Sequence, residues 1–239
     1  MAYEFSRTQL LLGAEAMERL ARARVAVFGR GGVGGYAVEA LARSGIGALD
    51  LVDSDTVSPT NINRQLIAMH STVGKPKTQI LAQRLLDINP RLNIHIKQLY
   101  MDEVQTEILL DEAKYDYVID AIDTISPKIA LLTGCLKRKI KVISSMGAGG
   151  RIDPTRNAYA DISETYHCAL AKAVRKRLKD AGISKGIKVV FSSEQPDRNA
   201  IIRTDEERNK KSTVGTISYL PAIFGCYLAA YVIRKLSQK

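Results

Sequence analysis

The chain has 239 residues, of which 46% are hydrophobic and 25% charged. That is ordinary for a folded α/β domain, and with no low-complexity tract it excludes a disordered or fibrous protein. The net charge of +10 favours a polyanionic partner without choosing between nucleic acid and an anionic surface. In chain order, leucines and alanines recur at helical spacing over residues 8–22, and Val25–Phe28 reads as a short apolar strand. A glycine-rich turn leads into a helix over Val33–Ser44 closed by Gly45, then a strand over Ala48–Val52 ending at Asp53. Pro76 opens a helix that Pro90 stops, and Leu92–Lys97 alternates as a strand.

Asp102 is placed to cap a helix reaching Glu112. Tyr117–Ile119 is a strand, Ser126-Pro127 reads as the start of a helix reaching Lys139, and Lys141–Ser145 is the next strand. After Gly150 come a strand over Ala158–Ile162, a basic helix over Tyr166–Ala181, and a strand over Ile187–Phe191. The polar stretch Glu194–Ser212 reads as a mobile loop. Val214–Ile233 is long and apolar; Pro221 and its small residues favour a buried core helix over a membrane span, so stable membrane insertion is not expected. The alternation predicts a doubly wound, mostly parallel Rossmann-like α/β sheet over residues 1–150. Residues 151–239 are expected to form a smaller substrate-binding region and C-terminal core helix within the same compact domain.

Three separated cysteines, Cys135, Cys168 and Cys226, offer no zinc spacing and suit a reducing cytoplasm. No secretory signal is visible at the N-terminus.

The segment Gly29-Arg30-Gly31-Gly32-Val33-Gly34-Gly35 sits between a strand and a helix. There glycines let the backbone approach phosphates, and free N–H groups of the helix face an anion. With Asp53 ending the next strand, where an acid can hold ribose hydroxyls, this segment alone reads first as a dehydrogenase. Downstream residues weaken that reading. Asp55, Asn61, Arg64, Gln65, Lys77 and Asp123 follow at positions that a doubly wound sheet brings to one crevice. Two cations and a carboxylate around a nucleotide suit a triphosphate with Mg²⁺ rather than hydride transfer.

This order of motifs resembles the adenylylating superfamily of ubiquitin-activating enzymes and their bacterial relatives in thiamin and molybdopterin synthesis. The resemblance implies an ATP site built from Gly29, Gly31, Gly32, Gly34, Asp53, Asp55, Asn61, Arg64, Gln65, Lys77 and Asp123, with Asp123 holding Mg²⁺. It also implies that Arg7, in Phe5-Ser6-Arg7-Thr8, reaches the partner's nucleotide in a homodimer. Gly147–Thr155, Asp161–Thr165, the basic helix, and Val189–Pro196 are similar to the tRNA threonylcarbamoyladenosine dehydratase branch. The helix start at Tyr166-His167-Cys168 departs from that pattern.

The implied reaction activates the threonyl carboxylate of the modified adenosine as an acyl-adenylate, and the carbamoyl oxygen then closes a ring. Catalysis is assigned to Arg7, Arg64, Lys77 and Asp123, acting by position and charge. An activator of a Gly-Gly-ending, ubiquitin-like sulfur carrier is the alternative; a dehydrogenase and a non-catalytic RNA-binding protein stand further off. The Gly147–Gly150 turn offers carbonyls to a monovalent cation, and a sulfur-relay partner is left open. Cys168, beside His167, is the cysteine in a polar setting. Basic runs at 137–141, 172–179, 185–188 and 208–211 become candidates for tRNA phosphates, and Tyr159 and Tyr166 for base stacking.

Overall fold

A computed structural model describes residues 3–29, 31–99, 101–203 and 212–238. The first predicted helix is two: α1 (Ser6–Leu12) and α2 (Ala14–Arg22). They are broken at Gly13, whose φ of 85° no helical residue adopts. Strand β1 (Arg24–Phe28) runs through the glycine turn into α3 (Gly34–Arg43), followed by β2 (Ala48–Val52). Next come α4 (Lys77–Ile88), β3 (Asn93–Lys97) and α5 (Glu103–Glu112). The Asp102 carboxylate accepts from the Gln105 N–H at 2.8 Å, as a cap should.

The chain continues with β4 (Tyr117–Asp120), α6 (Ile125–Lys137), β5 (Val142–Ser145), β6 (Asn157–Asp161), α7 (Ala169–Asp180) and β7 (Lys188–Ser192). Helix α6 begins after Thr124 rather than Ser126, with no side-chain capping bond from Thr124, which moves Pro127 to its third position. Proline is tolerated there because the first four helical N–H groups have no partner within the helix. Helix α7 starts at Ala169 rather than Tyr166, because His167 takes a φ of 52° and Cys168 becomes the cap. The stretch expected to be a mobile loop carries a short antiparallel pair, β8 (Ile201–Arg203) with β9 (Ser212–Val214). Its basic run 208–211 lies outside the described residues.

Seven strands form one sheet in the order β3-β2-β1-β4-β5-β7-β6, parallel except for β6 against β7. Helices cover both faces. On one, α2, α3 and α4 pack with the last helix, α8 (Tyr219–Ser237), which buries Leu220, Phe224, Leu228 and Val232. On the other, α5, α6 and α7 bury Leu109, Leu131, Leu132, Val174 and Leu178. The C-terminal apolar stretch is therefore core. Among the described residues, no helix is long and apolar enough to cross a membrane.

Candidate functional site

Strand β1 lies between β2 and β4, and the chain leaves it in opposite directions on its two sides. That is the switch point where doubly wound sheets open a crevice at their strand C-termini. In register, Phe28 pairs with both Val52 and Asp120, so the loops that follow all three strands share one edge. The Gly29 N–H reaches the Val52 carbonyl at 3.3 Å, and the Ala121 N–H reaches Phe28 at 2.8 Å.

Within the glycine loop the residues differ in purpose. A Cβ on Gly34 would stand 1.9 Å from the Gly29 carbonyl oxygen, and one on Gly29 would stand 2.7 Å from that of Ala121. Those two glycines are required by packing. Gly31 has nothing nearer than the Gln65 side-chain nitrogen at 3.7 Å, so its role is an open backbone. Gly32 sits beneath the Arg64 carbonyl and Pro221, which joins α8 to the loop.

The segment after β2 closes over this loop. Asp53 and Asp55 are joined by an Asp55 N–H to carboxylate bond of 2.8 Å. Asp55 then pairs with Lys77, Nζ to Oδ2 at 2.9 Å, and its carbonyl accepts the Lys77 N–H at 3.0 Å. Asn61 is buried and accepts from the Ser58 N–H at 3.1 Å, holding the turn over Pro59–Asn61. Arg64 is half-buried, and its guanidinium donates to the Thr60 carbonyl and the Asn63 side chain at 2.8 and 2.9 Å. Gln65 is only 7% exposed, and its Oε1 has no hydrogen-bond partner among the described residues. A buried acceptor beside an open glycine backbone is a polar site waiting for a donor. Asp123 is exposed on the loop between β4 and α6.

Arg7 does not join this group within one chain. It is exposed on α1, whose start is held by a Glu4–Arg91 ion pair of 2.9 Å and by Phe5 against Gly45. Gly45 and Arg91 precede β2 and β3, so α1 sits at the strand N-termini, opposite the crevice.

Two charged residues escaped the sequence reading. Lys128 is wholly buried, with Nζ 2.6 Å from Asp120 and 2.8 Å from the Ile122 carbonyl. Ser144 donates to the same Asp120 oxygen at 2.6 Å. This network lies directly under the Asp123 loop. Its signal was a lone lysine on the face that carries Leu131, Leu132 and Cys135. Arg151 is also buried, and its guanidinium donates to the carbonyls of Gly147, Gly149, Glu194 and His167. It already occupies two carbonyls of the turn offered to a monovalent cation.

Cys168 is not in a polar setting: it is buried, and its sulfur caps α7 through the Ala171 N–H. The exposed thiol is Cys226. Tyr159 turns its hydroxyl to the Tyr227 carbonyl at 2.7 Å and packs on Tyr227 and Tyr231, so it is no free stacking platform. Tyr166 is half exposed, edge-on to Phe191. The wall after the turn is tied to the crevice: Tyr219 donates to the Ile152 carbonyl at 2.7 Å, and Asn63 to that of Thr216 at 2.9 Å.

The model of the ThiF family matches residues 5–239. The tRNA threonylcarbamoyladenosine dehydratase of Bacillus subtilis is 44% identical, over 99% of this chain and 95% of its own length. Crystal structures of the Escherichia coli tRNA N6-threonylcarbamoyladenosine dehydratase TcdA in complex with ATP and with AMP superpose with a TM-score of 0.89 each, at 35% and 36% identity. Each alignment covers 98% of this chain and 93% of the other. The chain belongs to the ThiF family and, within it, to the tRNA threonylcarbamoyladenosine dehydratases.

Proposed function

We propose that this chain dehydrates threonylcarbamoyladenosine in tRNA at the expense of ATP, with the β1–β4 crevice as the site. The observation that carries the site is the packing of the Asp123 loop against the glycine loop, where Gly29 leaves no room for a side chain beside Ala121. A triphosphate on that loop meets the open backbone of Gly31 and the Gln65 side-chain nitrogen beside it, while the unpartnered Gln65 Oε1 is left to accept from a donor on the nucleoside. The threonyl carboxylate attacks the α-phosphorus and pyrophosphate leaves. The carbamoyl oxygen then attacks the activated carbonyl carbon, the carbamoyl group loses a proton, and AMP leaves as the ring closes.

Arg64 and Lys77 neutralise the phosphates, Asp53 holds the ribose, and Gly29, Gly32, Gly34, Asp55 and Asn61 shape the site around them. No protein nucleophile is required, because the attacking oxygens belong to the substrate. The residues fit an Mg²⁺ ion brought in on the triphosphate: Asp123 supplies one hard oxygen ligand, and phosphate oxygens suit the rest. When bound, such an ion stabilises charge on the departing pyrophosphate.

Arg7 acts on the partner's nucleotide in a homodimer. Support comes from its distance from the crevice of its own chain, and from Leu10 and Leu11 beside it, 88% and 84% exposed on α1. Two such leucines on one short helix suit a subunit contact. Residues 1–150 serve ATP and 151–239 the substrate, inside one domain. The cytoplasm suits three free cysteines and a tRNA substrate. A monovalent cation at the Gly147–Gly150 turn would share carbonyls with Arg151. A sulfur relay through Cys168 would need its buried thiol uncovered.

The test is pyrophosphate release from ATP and Mg²⁺, with and without tRNA carrying threonylcarbamoyladenosine, followed by nucleoside mass spectrometry. The expected result is tRNA-dependent release, a nucleoside lighter by one water, and loss of both in Asp123→Asn. Release triggered instead by a Gly-Gly-ending carrier protein would move the chain to the sulfur-carrier activators.

A further inference from the structure

Helix α7 covers β5 and β7, with Ala171, Val174 and Leu178 turned inward. Its outer surface carries Lys172, Arg175, Lys176 and Lys179. Residues at this spacing share one helix face, and the row runs for about 10 Å along the axis. Together with the turn at Ile162 and Ser163 and the segment at Ile183, these four cations line a groove of about 400 Å³.

The charge in this groove is uncompensated. Among the described residues, the side chains of Lys172, Lys176 and Lys179 form neither ion pair nor hydrogen bond, and Arg175 donates only to the Thr165 hydroxyl. Some cations elsewhere are closely paired, as in Arg24 with Asp50 at 2.6 Å and Arg84 with Glu39 at 2.6 Å; here four gather in one groove without a carboxylate partner among the described residues. Among the described residues, Asp161 and Glu164 beside the groove accept from neutral groups and form no ion pair with these cations. Asp161 accepts from Ser163 and from the Gly186 N–H at 2.7 Å, and Glu164 accepts from the Asp161 N–H at 3.0 Å. Asp180, the last residue of α7, is the sole acid on the helix.

A run of like charges on one face destabilises an isolated helix, so its presence asks for an external counter-charge. We infer that this groove is the docking surface for the sugar–phosphate backbone of the substrate tRNA. The inference rests on the dehydratase reading and adds to it the place where the RNA lies. Strands β5 and β7 are two and three strand spacings from β1, about 10–15 Å to the side. Helix α7 starts at the crevice edge, where His167 meets the Ser193 carbonyl beyond β7, and descends to the strand N-termini, where the Ile162 N–H meets the Ile187 carbonyl, so the groove runs down from the crevice rim. A stem can therefore lie along α7 while its modified nucleoside enters the crevice. Phosphate contacts of this kind set register and orientation, and leave chemical selection to the crevice.

The test is a triple variant, Lys172→Ser, Lys176→Ser and Lys179→Ser, in the full-length protein, compared with the triple Lys→Arg variant and with Lys114→Ser as a charge control on another surface. Substrate tRNA is titrated at several salt concentrations, and steady-state pyrophosphate release is followed. The Ser variant is expected to raise Kd and KM for tRNA about tenfold or more and to flatten the log–log salt slope by about two. KM for ATP stays unchanged, and the Arg variant keeps wild-type affinity. Unchanged tRNA affinity and salt slope would overturn the inference, as would an Arg variant as impaired as the Ser variant. Weakened binding to phosphatidylserine vesicles with tRNA affinity intact would overturn it too and assign the groove to a membrane surface. If wild-type protein binds tRNA through these lysines but releases no pyrophosphate with it, the docking surface stands and the dehydratase reading falls.

Discussion

Lys77 and Asp55 form an ion pair of unequal partners: the lysine side chain is 6% exposed and the carboxylate 62%, with 2.9 Å between them. A buried ammonium has found its counter-charge on a residue that stays in water. Asp55→Asn should therefore cost no more than about 1 kcal/mol, since solvent screens the pair. ATP should stabilise this variant more than the wild type, because phosphate supplies the charge that was removed. Thermal melts with and without ATP check this; an equal ATP shift in both proteins would separate Lys77 from the phosphates.

Glycine 34 and glycine 31 should fail in different ways. A Cβ on Gly34 meets the Gly29 carbonyl at 1.9 Å, so Gly34→Ala should lose about 3 kcal/mol or more of stability. Gly31→Ala has open space and should melt within about 0.5 kcal/mol of wild type. It should nonetheless bind ATP more weakly, as the methyl group stands where phosphate approaches. Denaturant unfolding and ATP titration on the same two variants distinguish the two effects.

Much of this arrangement was legible. The glycine loop, Asp53, Arg64, Lys77 and Asp123 each lie at the C-terminal end of a strand or in the connection that follows, and strand order alone brings them to one crevice. Arg7 was legible as a residue but not as a position, because nothing local says that α1 folds to the opposite edge. Lys128 and Arg151 stayed hidden for another reason. A lysine or arginine in sequence reads as surface, and only the fold reveals that Asp120 or four carbonyls surround it. Cys168 misled because its neighbour His167 takes a left-handed conformation, and so the thiol turns inward as a cap.

Removing one partner of the buried Lys128–Asp120 pair leaves an isolated charge in the core. Lys128→Met should lose about 3–5 kcal/mol in denaturant unfolding. Adding Asp120→Asn to that variant should recover part of the loss, since the stranded carboxylate is then neutral. Additive losses would mean that the two residues do not act as a pair.

Thiol alkylation under native conditions should mark Cys226 and spare Cys135 and Cys168. Burial pushes the Cys135 thiol up to about 12, and Cys168 is closed to solvent. Burial also raises the Cys226 thiol, so labelling should be slower than for a free cysteine but complete. Peptide mass spectrometry reads the pattern; labelling of Cys168 at the same rate would reopen it as a reactive group.

Arg138 clamps α5 to α6 by donating to Asp111 at 2.7 and 2.8 Å and by pairing with Glu107. Its hydrogen bonds hold the Glu107 carboxyl below its ordinary 4.5 and that of Asp111 below its ordinary 3.8. A lowered carboxyl contributes stability above its unfolded pKa and loses it as pH falls through the folded one. The melting-temperature difference between wild type and Arg138→Met should thus be greatest near neutrality and shrink in acid. A difference independent of pH would show that Arg138 acts through packing alone.

Arg151 gives the loops around the turn after β5 an unusual mechanical logic. One guanidinium gathers the carbonyls of Gly147 and Gly149, of His167 and of Glu194, three stretches that share no secondary-structure element. These loops cannot drift apart one at a time, since each is fastened to the same hub. Shape changes in this wall, whether through evolution or engineering, must therefore move all three together or begin by replacing the hub.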